Sequence, residues 1–331
     1  MSEPIATAEL IEDRGEASAS EEFFRSRPFL DAEGVTHTLR IETAGAELLA
    51  PLIVRPVGDG PERDAISPYG YPGIATSFRA SDIDHTPGGS MSDAPFDPAQ
   101  VDFAGTGLVT AFLRHALTID PPLLGATERN VVQIADLELP AKSRPSDRNQ
   151  INKNLRRGYE VRIVPGPETT SADRAGFLAA YEQTMQRTGA AERYFFSAAY
   201  FDRVLESDRT WLALALAPGG EVAAASLAAR SDGFLHYYLS GSADSHLRDS
   251  PMKNVLAALI DLAAEQGLPL NLGGGIVRGD RLEEFKRGFA NREQPWHTSE
   301  IVCDPGAYAR LSAGRDAGGF FPAYRPVDRA S

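Results

Sequence analysis

The chain is poor in the groups that several kinds of chemistry require. It has one cysteine, Cys303, in 331 residues, which excludes an intramolecular disulfide framework and any zinc or iron–sulfur site built from several thiolates. No stretch approaches the roughly 18 consecutive apolar residues of a membrane span. The opening Met1-Ser-Glu-Pro-Ile-Ala lacks the basic and apolar parts of a secretory signal, so the expected location is the cytoplasm. Basic charge is scarce as well: 33 Lys and Arg against 46 Asp and Glu leave a formal charge of −13, which argues against broad coating of nucleic acid and leaves room for a local basic patch. The sequence contains no G-x-x-x-x-G-K-[ST] phosphate loop, no H-E-x-x-H zinc helix and no G-x-S-x-G nucleophile elbow. Gly105-x-Gly107 follows a loop and lacks the third glycine of a dinucleotide site. His37, His85, His115, His236, His246 and His297 are scattered without ligand spacing, so no metal is expected. His236, on an apolar run, reads as a core or pocket-wall residue.

What remains is an ordinary globular balance, 42% hydrophobic and 24% charged, at a length that suggests about two domains of roughly 150 residues. Residues 1–24 hold seven acids against one base, Arg14, and are expected to form a flexible acidic arm. Residues 25–140 would be the N-terminal domain. Its signals are β-prone runs at Thr36–Glu42 and Glu47–Arg55, an aromatic turn Ser67-Pro-Tyr69-Gly-Tyr71-Pro-Gly73, and a polar surface loop over Ser81–Gln100. A helix follows over 106–117 on the spacing of Leu108, Phe112, Leu113 and Ala116, then a strand over Val131–Leu139. Between Lys142 and Arg162 seven bases face two acids, net +5, and residues 141–162 are expected to be an interdomain helix N-capped near Ser146 or Asp147.

Residues 163–315 would be the C-terminal domain, with 316–331 as a tail. The pattern predicts helices over 171–188 and 197–206, and apolar strands at Trp211–Leu216, Val222–Ala229 and Phe234–Ser240 joined by Pro218-Gly-Gly and Ser231-Asp-Gly turns into an antiparallel meander. A helix over Pro251–Gln266 and a strand over Leu268–Leu272 complete it. The order α-α-β-β-β-α-β is that of the GNAT acyltransferase core, and the first half reads as a degraded copy of it. The expected fold class is therefore α/β (α+β): two tandem GNAT-like domains, each a mixed, mainly antiparallel sheet flanked by helices.

The chemically informative stretch is Asn271-Leu-Gly-Gly-Gly-Ile-Val-Arg-Gly-Asp-Arg-Leu-Glu-Glu-Phe285-Lys286-Arg-Gly-Phe289. Gly273, Gly274 and Gly275 at a strand end permit close backbone approach, and their N–H groups can bind a carbonyl or phosphate. In the helix that follows, Leu282, Phe285 and Phe289 share one face and Lys286 lies at its edge. On spacing alone, a solvated lysine and a site lysine both remain open.

This stretch resembles the Fem-type (FemABX-like) peptidyltransferases, two-domain GNAT-like proteins that join an amino acid carried on tRNA to an amine of a cell-wall precursor. Leu282, Phe285, Lys286 and Phe289 fill that family's L-x-x-F-K-x-x-F helix. Tyr181-x-x-Thr184-x-x-Arg187-x-Gly189 with Tyr194-Phe195-Phe196 and Tyr200-Phe201, the segment Asn149 to Val161, and Pro68–Gly73 are similar to its other segments, so the likeness runs over residues 65–303. No inserted coiled-coil arm is present, which is more similar to the shorter members that make amides on small molecules, including those of natural-product pathways.

The resemblance implies an aminoacyl-tRNA donor, a small-molecule or peptide amine acceptor, and no cofactor. It implies that Lys286 stabilises an oxyanion or contacts the RNA terminus, and that Phe285 orients the aminoacyl-adenosine by stacking. Arg187, Tyr69, Tyr71 and Tyr238 would line an acceptor pocket in the groove between domains, and Lys153, Arg156 and Arg157 would contact tRNA phosphates. The alternative is a GNAT-type N-acyltransferase using an acyl thioester on coenzyme A or a carrier protein, and a third class is a non-catalytic GNAT-like binding module. In Arg248-Asp-Ser-Pro251-Met-Lys253, Pro and Lys stand where glycines would cradle the pyrophosphate of acyl-CoA, and Pro removes a backbone donor; this disfavours coenzyme A.

Overall fold

Alternation of apolar and polar side chains over residues 37–56 sets a long antiparallel ladder in the first of two units that a computed structural model of the chain resolves, Met1–Arg129 with Trp296–Val327 and Asn130–Pro295 with Asp328–Ser331. Residues 5–43, 46–78, 96–117, 121–315 and 318–325 are described. Most of the expected Ser81–Gln100 loop and the last residues of the expected tail lie outside them.

In the first unit β1 (Ala6–Ile11), α1 (Arg27–Ala32), β2 (His37–Glu42), β3 (Ala46–Pro56), β4 (Arg63–Ile66), β5 (Ala75–Phe78), β6 (Val101–Asp102) and β7 (Thr110–Arg114) follow in order. Strands β1 to β4 pair antiparallel, β6 joins β1 in parallel, and β4 pairs in parallel with β7 through Ala65↔Ala111 and Ile66↔Phe112. Ala8, Leu39, Ile41, Leu48, Ala50, Leu52, Ala111 and Leu113 point into one core.

Two expectations are corrected here. From Ala6 the acidic N-terminal segment is not an arm: in β1 the exposed Thr7 and Glu9 alternate with Ala6, Ala8 and Leu10, and Leu10 pairs with Leu39. The helix expected over 106–117 is strand β7. Ala111 and Leu113 are fully buried two apart, a strand period that the neighbouring apolar residues mimic as a helical one.

The chain passes to the second unit within β8 (Thr127–Ala135). There α2 (Pro145–Arg156), β9 (Glu160–Pro165), α3 (Ser171–Arg187), α4 (Ala198–Val204), β10 (Thr210–Leu216), β11 (Val222–Ser231), β12 (Phe234–Ser242), α5 (Met252–Glu265), β13 (Leu270–Gly273) and α6 (Arg281–Arg287) match the expected order closely, with β9 added as an edge strand beside β10. The sheet order is β8-β13-β12-β11-β10-β9, antiparallel throughout apart from the β12–β13 pair. Helix α3 opens with a reciprocal capping box between Thr170 and Asp173. It lies so close to β12 that a Cβ on Gly241 would stand 2.3 Å from the Ala180 carbonyl oxygen. Val255, Leu256, Leu259 and Ala263 of α5 bury against Ala213, Ala224, Leu235 and Leu270.

The chain returns to the first unit within β14 (Arg292–Val302), whose Ile301 pairs with Ala111 of β7, and continues in α7 (Pro305–Ser312). The expected boundary at 315 is therefore displaced. Residues 296–325 belong to the first unit because they complete its sheet and core: Tyr324 is buried with its hydroxyl 2.7 Å from Thr110 Oγ1, and Arg325 donates to Asp64.

Candidate active site

The second unit concentrates its polar groups where β13 leaves β12. The two strands pair only through Leu235↔Leu270 and His236↔Asn271, and the chain then turns away through Gly273–Gly275. Asn271, fully buried, holds this exit: its Oδ1 accepts from the Gly273 amide at 2.8 Å and its Nδ2 donates to His236 Nδ1 at 3.0 Å. That tautomer leaves His236 Nε2–H to donate to the Ser231 carbonyl at 3.1 Å. Burial pushes His236 down to about 4, so the ring is neutral and its role is to fix the strand ends. Gly274 presses on β8: a Cβ there would stand 2.7 Å from the Val131 carbonyl oxygen.

The loop into α6 is braced by two carboxylates. Asp280 caps the helix by accepting from the Glu283 amide at 2.8 Å, and it also accepts from the Ile276 and Val277 amides at 2.7 and 3.1 Å. Burial opposes its ionised form, but these amide donors outweigh it and hold the carboxyl below the usual range. Glu283 is buried, accepts from the Gly279 amide at 2.7 Å and pairs with Arg287. These caps set the rotation of α6, and they correct the expected apolar face: Leu282 is 40% exposed, while Glu283 and Lys286 turn inward. Phe289 is buried and Phe285 half-buried, with ring centroids 5.8 Å apart.

Lys286 is 8% exposed, which closes the solvated-lysine reading. Its Nζ donates to the Gly274 carbonyl at 2.6 Å and lies 5.9 Å from the centre of the Tyr237 ring. Burial lowers its pKa to about 8, opposed by the carboxylates of Asp280 and Glu283. One of its three ammonium donors is used on the carbonyl, and the group sits where low dielectric strengthens any interaction with developing negative charge.

Tyr237 was not anticipated as a site residue. Burial pushes its phenol up to about 12, so it stays neutral beside the lysine. Tyr238 turns elsewhere, with its hydroxyl 3.1 Å from that of Tyr200 in α4. The β11–β12 register slips here, pairing Leu227 with Leu239 and Ala228 with Tyr237 and leaving Tyr238 as the extra residue. Strand alternation read from the sequence has no means of locating that bulge, although the burial of Leu235 two residues earlier marks Tyr237 as facing the α5–α6 side.

The other expected site residues are placed as follows. Arg187, in the last turn of α3, pairs with Asp244 and donates to the Ser242 carbonyl at 3.3 Å and to Thr184 Oγ1 at 2.9 Å. Tyr69 and Tyr71 belong to the first unit, where the Tyr69 amide donates to Glu33 at 2.8 Å and the Tyr71 ring meets Phe24 and Trp296 edge-on at 5.6 and 5.5 Å. Of the basic residues in and just after α2, Lys153 and Arg156 are exposed and make no ion pair among the described residues, whereas Arg157 is bound to Asp249 at 2.5 Å.

At the start of α5, the Asp249 carbonyl accepts from Asn154 Nδ2 at 2.8 Å and Gln150 Nε2 at 3.0 Å, and Lys253 pairs with Asp147 at 2.8 Å. The α2 side chains thus occupy this turn, and the Asp249 carboxylate adds negative charge where a pyrophosphate would need donors. Among the described residues no group of His, Cys, Asp and Glu is arranged to hold a metal ion, and no helix is long and apolar enough to cross a membrane.

Residues 141–287, from the approach to α2 through the end of α6, match the family model of the Acetyltransferase (GNAT) domain. Over these residues the second unit carries a GNAT acetyltransferase domain, and the match supports the coarse class of a GNAT-type acyltransferase. No curated protein matches its sequence significantly. Among solved structures it is similar to L-PGS from Bacillus licheniformis, with a TM-score of 0.53 and 12% identity over 92% of this chain and 94% of that one. It is also similar to FemX, with a TM-score of 0.50 and 12% identity over 82% and 90%. At this identity the likeness is one of fold.

Proposed function

We propose that the protein is an aminoacyl-tRNA-dependent transferase that forms an amide between a tRNA-borne amino acid and the amine of a small-molecule or cell-wall-precursor acceptor, as in natural-product pathways. The observation that carries this reading is the buried Lys286 ammonium at the end of the glycine-rich strand, on a helix whose sequence resembles the Fem-type motif. FemX also shares the fold. In the reaction the acceptor amine attacks the ester carbonyl, forming the C–N bond. The tetrahedral oxyanion collapses with cleavage of the C–O bond to the ribose, and the proton lost by the amine goes to the departing oxygen. Lys286 donates to the oxyanion with an N–H not used on Gly274, and Phe285 orients the aminoacyl-adenosine by stacking. Positioning supplies the rest, since the ester is already activated. Arg187, Tyr69, Tyr71 and Tyr238 are the proposed acceptor contacts, and Lys153 and Arg156, with Arg157 once released from Asp249, the proposed phosphate contacts.

A second reading, an N-acyltransferase fed by an acyl thioester, is favoured by the GNAT acetyltransferase match itself. The Asp249 carboxylate and Pro251 at the start of α5 count against coenzyme A in this unit. The deciding experiment is amide formation from charged tRNA, with and without RNase. Product that disappears on RNase treatment is expected; product from acyl-CoA in RNase-treated reactions would replace the first reading with the second.

A further inference from the structure

The loop between β13 and α6 presents apolar side chains to water with unusual completeness: Ile276 is 83% exposed, Val277 68% and Leu282, one turn into α6, 40%. This is not slack chain. Asp280 holds the Ile276 and Val277 amides, Glu283 holds the Gly279 amide, and Asn130 Nδ2 donates to the Gly275 carbonyl at 2.9 Å. A loop braced at its backbone cannot fold its aliphatic groups inward, so they stay in water unless something covers them.

Charge indicates what covers them. Arg278 and Arg281 are exposed on the same loop and first turn, and among the described residues no ion pair engages Arg281. The neighbouring acids are committed: Asp280 to capping, Glu283 to Arg287, and Glu284 to Arg144 at 2.7 Å. The tip therefore offers aliphatic side chains rimmed by arginine, against a chain whose overall charge is −13. RNA is a poor match, because stacking on bases needs aromatic rings and the tip has none. A protein partner is a poor match in size, because a stable interface takes about 800 Å² from each side and three side chains fall well short. A bilayer surface needs only a few aliphatic groups at the acyl boundary and a few basic groups at the lipid phosphates.

We propose that the 276–282 tip docks on an anionic phospholipid surface, with Ile276 and Val277 entering the acyl boundary and Arg278 and Arg281 contacting lipid phosphates. Docking stands independently of the aminoacyl-transfer reading, because vesicle binding requires no substrate.

The test is co-sedimentation of the full chain with phosphatidylcholine vesicles with and without phosphatidylglycerol, over a range of salt. Binding to the anionic vesicles that weakens with salt is expected, with a loss of more than about tenfold in an Ile276→Ser/Val277→Ser variant and in an Arg278→Glu/Arg281→Glu variant. Both pairs are exposed, and circular dichroism of each variant checks that it remains folded. Wild-type protein left in the supernatant with both vesicles would overturn the proposal, as would undiminished binding by the serine variant. Dimerisation or RNA binding that is lost in the serine variant without any vesicle binding would overturn it in favour of those partners. Amide formation on a soluble acceptor, measured separately, reports on the catalytic reading alone.

Discussion

The two units contain the same local device and use it differently. In each, a short parallel pair two residues long splits at its far end: β4 with β7 in the first unit, β12 with β13 in the second. In the first unit the chain beyond β4 closes the split with its own backbone. The Ser67 amide donates to the Phe112 carbonyl at 2.9 Å, the Gly73 amide donates to the Arg114 carbonyl at 3.1 Å, and Arg114 reaches the Ser67 carbonyl at 2.6 Å. The titratable group sealed nearby is His115, pushed down to about 4 by burial and bonded to Ser299 Oγ at 2.8 Å.

In the second unit the glycines let the strand turn away, and the carbonyl exposed by that turn takes a buried ammonium. On the proposed function, the difference that matters is the buried Lys286 ammonium with donors to spare in the second split, against the backbone closure of the first.

The largest expected effect tests that contrast directly. Lys286→Met keeps the apolar stem and removes the charge, and single-turnover amide formation should fall by about 10²–10³, or roughly 2.7–4 kcal/mol. His115→Gln in the first unit should leave the rate unchanged. A Lys286→Met rate within about threefold of wild type would erase the distinction between the two splits.

The same lysine gives a pH dependence of defined sign. Its folded pKa of about 8 lies below the ordinary 10.5. Below pH 8 both states carry the proton and stability has no slope from this group. Between those values the unfolded chain still holds the proton and the folded one does not, so wild-type stability should rise with pH relative to Lys286→Met by up to about 3 kcal/mol. Denaturant titrations of both proteins across that range measure it, and parallel curves would place the ammonium in water.

Two glycines sharpen the comparison further. A Cβ on Gly274 meets the Val131 carbonyl oxygen at 2.7 Å, and one on Gly73 meets Ala116 Cβ at 2.8 Å with φ at +67°. Alanine at either should cost about 1–3 kcal/mol of stability, but only Gly274→Ala should also slow catalysis, because it moves the carbonyl that orients Lys286. Equal loss of activity in both variants would place the reaction outside the second split. Arg156→Glu/Arg157→Glu should weaken tRNA binding and flatten its dependence on salt, since each phosphate contact adds to that slope; an unchanged slope would reduce α2 to a structural element. The smallest effect is expected at Leu282→Gln, within about 0.5 kcal/mol of wild-type stability, because α6 turns this residue outward.

Much of the second unit was legible before any coordinates. The Gly-containing turns at 218–220 and 231–233 and the one-sided apolar stripe of α5 are local signals, each satisfied within a few residues. The first unit was less legible, for a reason visible in β7. Phe112, half-buried, stands between the fully buried Ala111 and Leu113, and a strand covered on both faces loses the alternation that distinguishes it from a helix. The N-terminal segment misled in the opposite way: its count of acids overrode the apolar Ala6, Ala8 and Leu10, and the one acid within β1, Glu9, lies on its exposed face.

By itself the sequence determined the element order of the second unit, the glycine-rich strand end and the presence of one lysine in the helix that follows it, because periodicity, capping and turn chemistry act over a few residues. Only the tertiary structure decided that residues 296–325 complete the first unit, that Tyr237 rather than Tyr238 lies beside Lys286, and that Lys286 is buried. Each of these depends on contacts between segments far apart in the chain. The phase of α6 is set by Asp280 and Glu283 gripping the preceding loop, and the desolvation that lowers Lys286 arises where that helix closes over β12 and β13.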